Sequence, residues 1–176
     1  ASDGIAVIVN PDNPVDRLTL QQVSDIFSGK INNWTEVGGE DRPIVRLSRE
    51  VNSGTHVYFL EVVVRMGDAK DKTLFSTSTL LLPSSEGITA EIAQNKNAIG
   101  YDGLGYVTDV VKTIALSPDD TKRYVSPTVE TVMDGSYPVS RSLYMYTPGE
   151  PSGATKEYLD WIAGTDAQAI VKELGF

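Results

Sequence analysis

An α/β fold built on a mixed sheet is what this sequence predicts, and three features of its patterning predict it. Short β-branched runs alternate with helical stretches along the chain. The first run, GIAVIVN at residues 4–10, is apolar without interruption, as in a strand covered on both faces. Capping patterns open the helices and glycines close them, so the passages between elements are marked in the sequence itself.

Asn10 and Pro11 end the first strand and a polar loop follows it. Thr19 with Gln22 forms a capping box for a helix carrying Leu20, Val23 and Phe27 on one side, and Gly29 stops it. Trp34 is expected to anchor the turn beyond it in the core, and residues 33–35 spell a glycosylation sequon, an accidental one in a bacterial chain. Residues 43–48 make a second strand that delivers Arg49 at its carboxyl end, where open α/β sheets place their ligands. The helix after Thr55 is apolar on most sides, which predicts burial, and Gly67 ends it.

Residues 68–72 read as a solvated turn and 76–79 as a loop or short edge strand. Ser84 or Ser85 caps a helix bearing Ile88 and Ile92. Residues 97–107 form a strand whose glycines at 100, 103 and 105 permit close backbone approach or a bend, with Tyr101 and Tyr106 expected to pack. Residues 113–116 are another strand, 117–127 an exposed loop, and 128–134 a short helix stopped by Gly135. A strand over 143–146 precedes a helix over 151–163 and a fresh helix start at Thr165, with Gln168 as its capping partner.

The 176 residues, 40% of them hydrophobic, suffice for the core of one domain. No run of about 18 apolar residues occurs, so no membrane insertion is expected. The net charge of −9 argues against nucleic acid as a partner, since a basic patch is needed to displace its counterions. It does not argue against a small anion, because long-range charge is screened beyond about 8–10 Å. Without cysteine and with one histidine, the chain offers no disulfide, no thiolate nucleophile and no expected metal or cofactor site.

The functional signal concentrates in REVNSGTHVYFLEVVVRM, residues 49–66. The first N–H groups of a helix lack intrahelical partners and carry partial positive charge, so Ser53, Gly54 and Thr55 can aim donors at one tetrahedral oxyanion. Gly54 keeps side-chain bulk off the backbone, and Arg49, four residues upstream, can fork onto the same oxygens. A Ser-Gly-Thr triplet is equally an ordinary helix cap. A serine hydrolase would use Ser53 with His56 as base, but the Gly-x-Ser-x-Gly elbow is missing and an exposed helix histidine is the simpler account of His56. The second Ser-Gly start, at Ser152, has Pro148 rather than arginine four residues earlier and reads as a structural cap.

The strings GKINNWTEVGG (29–39), PIVRLSR (43–49) and NSGT (52–55) resemble the substrate-binding proteins of phosphate ABC transporters. NAIGYDGLGYV (97–107), YPVSRSLYMYT (137–147) and YLDWIAGTDAQAIVKELGF (158–176) resemble the same family in the same order, over nearly the whole chain. The resemblance implies a periplasmic binding protein-like lobe, a mixed sheet flanked by helices, that recognises inorganic phosphate. It implies Arg49, Ser53, Gly54 and Thr55 as ligand contacts, an ABC transporter permease as partner, and no enzymatic activity. It places the chain in the periplasm or on the extracellular face of the cytoplasmic membrane. Two positions depart from the family pattern: Val51 stands where an acidic residue can brace the arginine, and Asn52 where glycine is frequent.

The same comparison makes residues 1–176 a single domain: the second lobe, two crossing strands (GIAVIVN and SLYMYT) and the C-terminal helices, with most of the first lobe absent before Ala1. The start without methionine suggests a processed or excised chain. Apolar residues of the terminal helices, from Tyr158 and Trp161 to Ile170, Leu174 and Phe176, would then be uncovered, which predicts self-association or pairing with a separate first-lobe chain. Phosphate binding by this chain alone is expected to be weak, and no acidic residue is evidently placed to accept the hydrogen of protonated phosphate. Another tetrahedral oxyanion, or a sensor or interaction module without a transport role, are the alternatives.

Overall fold

The uninterrupted apolar run becomes the central strand of a mixed sheet in the computed structural model, which describes residues 1–174. In chain order the strands are β1 (Ser2–Val9), β2 (Arg17–Thr19), β3 (Val45–Arg49), β4 (Leu80–Leu82), β5 (Ala98–Gly103), β6 (Lys112–Thr113), β7 (Ala115–Ser117) and β8 (Ser140–Ser142). The α-helices are α1 (Leu20–Ser28), α2 (Gly54–Phe59), α3 (Ser85–Gln94), α4 (Val129–Met133), α5 (Gly153–Ala163) and α6 (Thr165–Glu173). The main sheet runs β4-β3-β5-β1-β6, with β8 also pairing β1, while β2 and β7 form a separate parallel pair. Strand β3 is parallel to β4 and β5, and β1 is antiparallel to β5, β6 and β8.

Side chains alternate across a strand, and in β1 both sets are buried. Ile5, Val7 and Val9 join Ile26, Phe27, Phe59 and Tyr101 on one face, and Ala6 and Ile8 join Leu47, Ile88 and Ile92 on the other. Each fully buried side chain of this kind contributes roughly 1.5–3 kcal/mol, so the helices are held to both faces by hydrophobic burial. Gly100 lets α3 approach the sheet, since a Cβ there would come within 2.9 Å of both Ile88 and Ile92.

Local signals were obeyed where the chain could satisfy them alone. Thr19 and Gln22 close their capping box at 3.1 and 2.9 Å, and Gly29 ends α1 at φ 86°. Trp34 is buried and its indole N–H donates to the Asn97 carbonyl at 3.0 Å. Ser84 caps α3 by accepting from the Gly87 N–H, and Thr128 caps α4.

Other expectations need correction. Residues 143–146 are not a strand: pairing with β1 covers Ser140–Ser142, and Leu143 N–H meets the Ala1 carbonyl. Gln168 does not cap α6; Gly164 separates α5 from α6, and the Gln168 amide donates instead to the Ile162 carbonyl at the end of α5. Ser152 occupies an N-cap position but makes no side-chain cap bond. Tyr101 packs, whereas Tyr106 is 54% exposed, because β5 ends at Gly103 and the 3₁₀ turn Leu104–Tyr106 carries the chain outward. The helix after Ser53 widens to a π-type turn at Leu60–Val64, burying Phe59, Val63 and Val64 while Val57 faces solvent. Phe176 lies outside the described residues.

Candidate anion-binding site

Because β3 and β4 run parallel, the helix starts that follow them lie at the same edge of the sheet, Ser53 after β3 and Ser84 after β4. Arg49 ends β3 and reaches across to the second of these starts. Its Nη1 donates to Ser85 Oγ at 3.0 Å and its Nη2 to the Pro83 carbonyl at 3.2 Å. Its Nε is buried and has no hydrogen-bond partner among the described residues.

Two of the three amides expected to face a ligand have protein acceptors. Ser53 N–H donates to the Glu50 carbonyl at 2.9 Å, and Thr55 N–H to Ser53 Oγ at 3.2 Å, because Ser53 caps its own helix. The Gly54 N–H makes none of the described protein hydrogen bonds. The space there is open, since a Cβ on Gly54 would meet only Arg141 Nη1, at 3.9 Å.

That second arginine and two carboxylates are what sequence reasoning missed. Arg141, in β8, donates from Nε and Nη2 to Asp3 Oδ2 at 3.0 and 2.8 Å. It also donates to the Gly54 carbonyl at 3.1 Å and to Thr55 Oγ1 at 3.2 Å. A guanidinium can only donate, so the Thr55 hydroxyl accepts from Arg141 and keeps its own hydrogen for another acceptor. Asp102, buried at the end of β5, accepts from Ser85 Oγ at 2.8 Å. The segment carrying Arg141 stood out in the sequence, but its carboxylate lies 138 residues away, and no local pattern links them.

His56 is buried, correcting the expectation of an exposed helix residue. Its Nδ1 faces the Arg49 carbonyl at 2.9 Å and Ser48 Oγ at 2.9 Å, and Ser48 Oγ lies 2.6 Å from the Tyr101 hydroxyl. Its ring packs on Phe75 with centroids 4.7 Å apart, above the stacked Phe59 and Tyr101 rings at 3.7 Å. Burial holds the His56 pKa below its ordinary value, with the Arg49 carbonyl pulling the other way. The side chain thus fastens the first turn of α2 to the end of β3. It is not joined to Ser53, whose hydroxyl takes the Thr55 N–H. No group of three or more His, Cys, Asp or Glu side chains that could hold a metal occurs among the described residues.

The model of the PBP superfamily domain matches residues 1–166, and the chain belongs to that superfamily. Within it, the sequence is 34% identical over 174 residues to the phosphate-binding protein PstS of Bacillus subtilis, covering 98% of this chain and 54% of that protein. Identity to the phosphate-binding protein PstS of Pseudomonas aeruginosa is 31% over 192 residues, covering 100% of this chain and 58% of the other. Among solved structures, one described as a phosphate ABC transporter substrate-binding protein from Clostridium perfringens, with bound phosphate, superposes with a TM-score of 0.83 at 37% identity. That match covers 99% of this chain and 68% of the other. An ABC-type phosphate transport receptor from Vibrio cholerae gives 0.80 at 29% identity, over 99% and 69% of the two chains. The resemblance read from the sequence, and the mixed sheet flanked by helices, are borne out. The chain spans about half the length of the curated relatives it matches.

Proposed function

We propose that this chain binds inorganic phosphate as part of the solute-binding protein of an ABC transporter, with the anion at the start of α2 held by Arg49, Ser53, Gly54 and Thr55. The observation that carries this is the unpartnered, buried Nε of Arg49, at the strand end that leads to the open Gly54 amide. A buried charged donor without an acceptor is costly, and an oxyanion supplies the acceptor. The Thr55 hydroxyl, turned free by Arg141, adds a donor. The printed names of the relatives, phosphate-binding proteins and phosphate transport receptors, support phosphate over other tetrahedral anions. They also support a binding role rather than catalysis, as does the commitment of His56 Nδ1 to the β3 end.

Residues 1–176 are read as one lobe with its crossing strands in a two-lobed binder that works outside the cytoplasmic membrane and delivers to a permease. The share of the relatives' length that is covered supports this, as do the exposed Tyr144, Tyr146, Tyr158 and Trp161. No helix among the described residues is long and apolar enough to cross a membrane. Charge-assisted hydrogen bonds contribute about 1.5–3 kcal/mol each, so this chain without a facing lobe binds phosphate weakly. Its uncovered aromatic surface favours self-association, which light scattering across a dilution series detects as a mass that falls with concentration.

The test of the seat is a titration of inorganic phosphate, with sulfate in parallel, followed by ¹H–¹⁵N NMR. The Gly54 and Thr55 amides are expected to shift with phosphate, and Arg49→Ala to abolish the response. Unchanged phosphate affinity in Arg49→Ala refutes the seat, and a sulfate response stronger than that of phosphate refutes the assignment of the anion.

A further inference from the structure

Asp102 is an ionisable group buried on an apolar face of the sheet. It pairs across the sheet with Ala6, on the face occupied by Ile8, Leu47 and Ile88, and is 2% exposed. Its Oδ1 accepts from Ser85 Oγ at 2.8 Å and from the Gly103 N–H at 2.9 Å, while its Oδ2 is buried without a partner. Burial, joined by the Glu86 charge, pushes its pKa up, against the pull of Ser85, the Gly103 N–H and the Arg49 charge. An apolar residue of similar volume would remove the cost of burying the carboxyl, against the smaller loss of one acceptor for the Gly103 N–H. Carboxyls kept at such positions against the interest of stability point to function.

Chemistry fixes the polarity of the bonds around it. The Arg49 guanidinium only donates, so Ser85 Oγ accepts from Nη1. The single hydroxyl hydrogen of Ser85 then goes to Asp102 Oδ1. Oδ1 must therefore be unprotonated, and any proton on this carboxyl sits on Oδ2. The result is a one-way chain from guanidinium through hydroxyl to carboxyl, joining β3, α3 and β5. Position 51, two residues from the arginine, holds an exposed valine and cannot serve in its place.

We propose that Asp102 is a positioning residue for Arg49, fixing the guanidinium at the anion site through Ser85 and doing so at a cost to the stability of the fold. This rests on Arg49 being an anion ligand, as argued above. Asp102 does not touch the anion in this proposal; it removes the freedom of the group that does.

The experiment titrates inorganic phosphate by ¹H–¹⁵N NMR into the parent chain, Arg49→Ala, Ser85→Ala, Ser85→Thr, Asp102→Val and the Ser85→Ala/Asp102→Val double variant, with thermal midpoints measured alongside. Ser85→Ala and Asp102→Val are each expected to weaken phosphate binding about tenfold, and the double variant to be within about threefold of either, since both break one chain. Ser85→Thr, which keeps the hydroxyl, restores affinity to within about threefold of the parent. The Asp102→Val midpoint equals or exceeds the parent's, and the Arg49 Nε–H resonance exchanges faster with water in both single variants.

Losses that multiply to about a hundredfold in the double variant, or a Ser85→Thr chain as weak as Ser85→Ala, overturn the positioning role. So does parent-like affinity in both single variants when Arg49→Ala abolishes binding. Parent-like affinity in Arg49→Ala instead overturns the anion seat itself, so the two failures are told apart. An Asp102→Val chain that does not fold overturns the stability half, and the Ser85 pair still decides the positioning half.

Discussion

Two arginines stand at the sheet edge from which α2 and α3 start, Arg141 on the start of α2 and Arg49 on the start of α3, and they are held in opposite ways. Arg141 is locked directly onto the Asp3 carboxylate and commits both Nε and Nη2 to it. Arg49 rests on neutral atoms, Ser85 Oγ and the Pro83 carbonyl, and its Nε is left without a partner. A guanidinium neutralised by an adjacent carboxylate has little charge left for a ligand, and its remaining bonds tie β8 and β1 to α2. A guanidinium steadied by dipoles keeps its charge for an incoming anion. On the proposed seat Arg141 is therefore architecture and Arg49 recognition, although both stand at the same edge of the sheet.

Substitutions can separate these roles. If the proposed seat is used, Arg49→Ala is expected to remove two or more charge-assisted hydrogen bonds to phosphate at about 1.5–3 kcal/mol each, a loss of at least about a hundredfold in affinity. Its effect on folding is expected to stay below about 1 kcal/mol, because Asp102 can take up a proton when the neighbouring charge goes. Phosphate titration and urea denaturation of the same sample measure the two quantities. Arg141→Ala should show the reverse balance. Breaking a buried ion pair costs about 3–5 kcal/mol, and the partial exposure of Arg141 brings the expected loss to about 2–3 kcal/mol in denaturant unfolding. A stable Arg141→Ala chain that no longer responds to phosphate would exchange the two assignments.

A smaller effect sharpens the picture at the Arg49 backbone. His56→Ala removes one partner each from the Arg49 carbonyl and Ser48 Oγ, which stay bonded to each other and, through Ser48, to Tyr101, and together with the lost packing on Phe75 is expected to lower stability by about 1–2 kcal/mol at pH 7.5. The folded-state pKa of His56 lies below its ordinary 6.5, so its contribution is full above pH 6.5 and is lost as pH falls through the folded value. Thermal melts between pH 7.5 and 5 should show the parent losing stability in that direction more steeply than His56→Gln. An identical slope in the two chains would mean that His56 does not titrate in this window.

What could be read from the sequence was what a few neighbouring residues decide among themselves. The capping box of Thr19 and Gln22, the stop at Gly29 and the two-faced burial of β1 follow from local spacing, and so did Arg49 and the Ser53–Thr55 turn. What could not be read were relations between distant segments. Asp3 meets Arg141, and Ser85 meets Asp102, only because antiparallel and parallel pairing brings β8 to β1 and α3 to β5. His56 looked like a surface residue because helical spacing ignores what packs above it; Phe75, from a loop, covers it. Residues 143–146 have strand-forming side chains, but a strand needs a neighbour to pair with, and among the described residues β8 pairs β1 only over Ser140–Ser142.

The two tryptophans differ sharply in solvent contact, Trp34 at 1% exposure and Trp161 at 53%, stacked on Tyr158. Intrinsic emission therefore splits into a blue component that acrylamide barely reaches and a red component that it quenches freely. Covering the α5–α6 surface, by a second copy or by a facing lobe, should suppress quenching of the red component and leave the blue one unchanged. The unlabelled chain thus carries its own optical gauge of assembly, with an internal reference that reports only on whether the core remains intact.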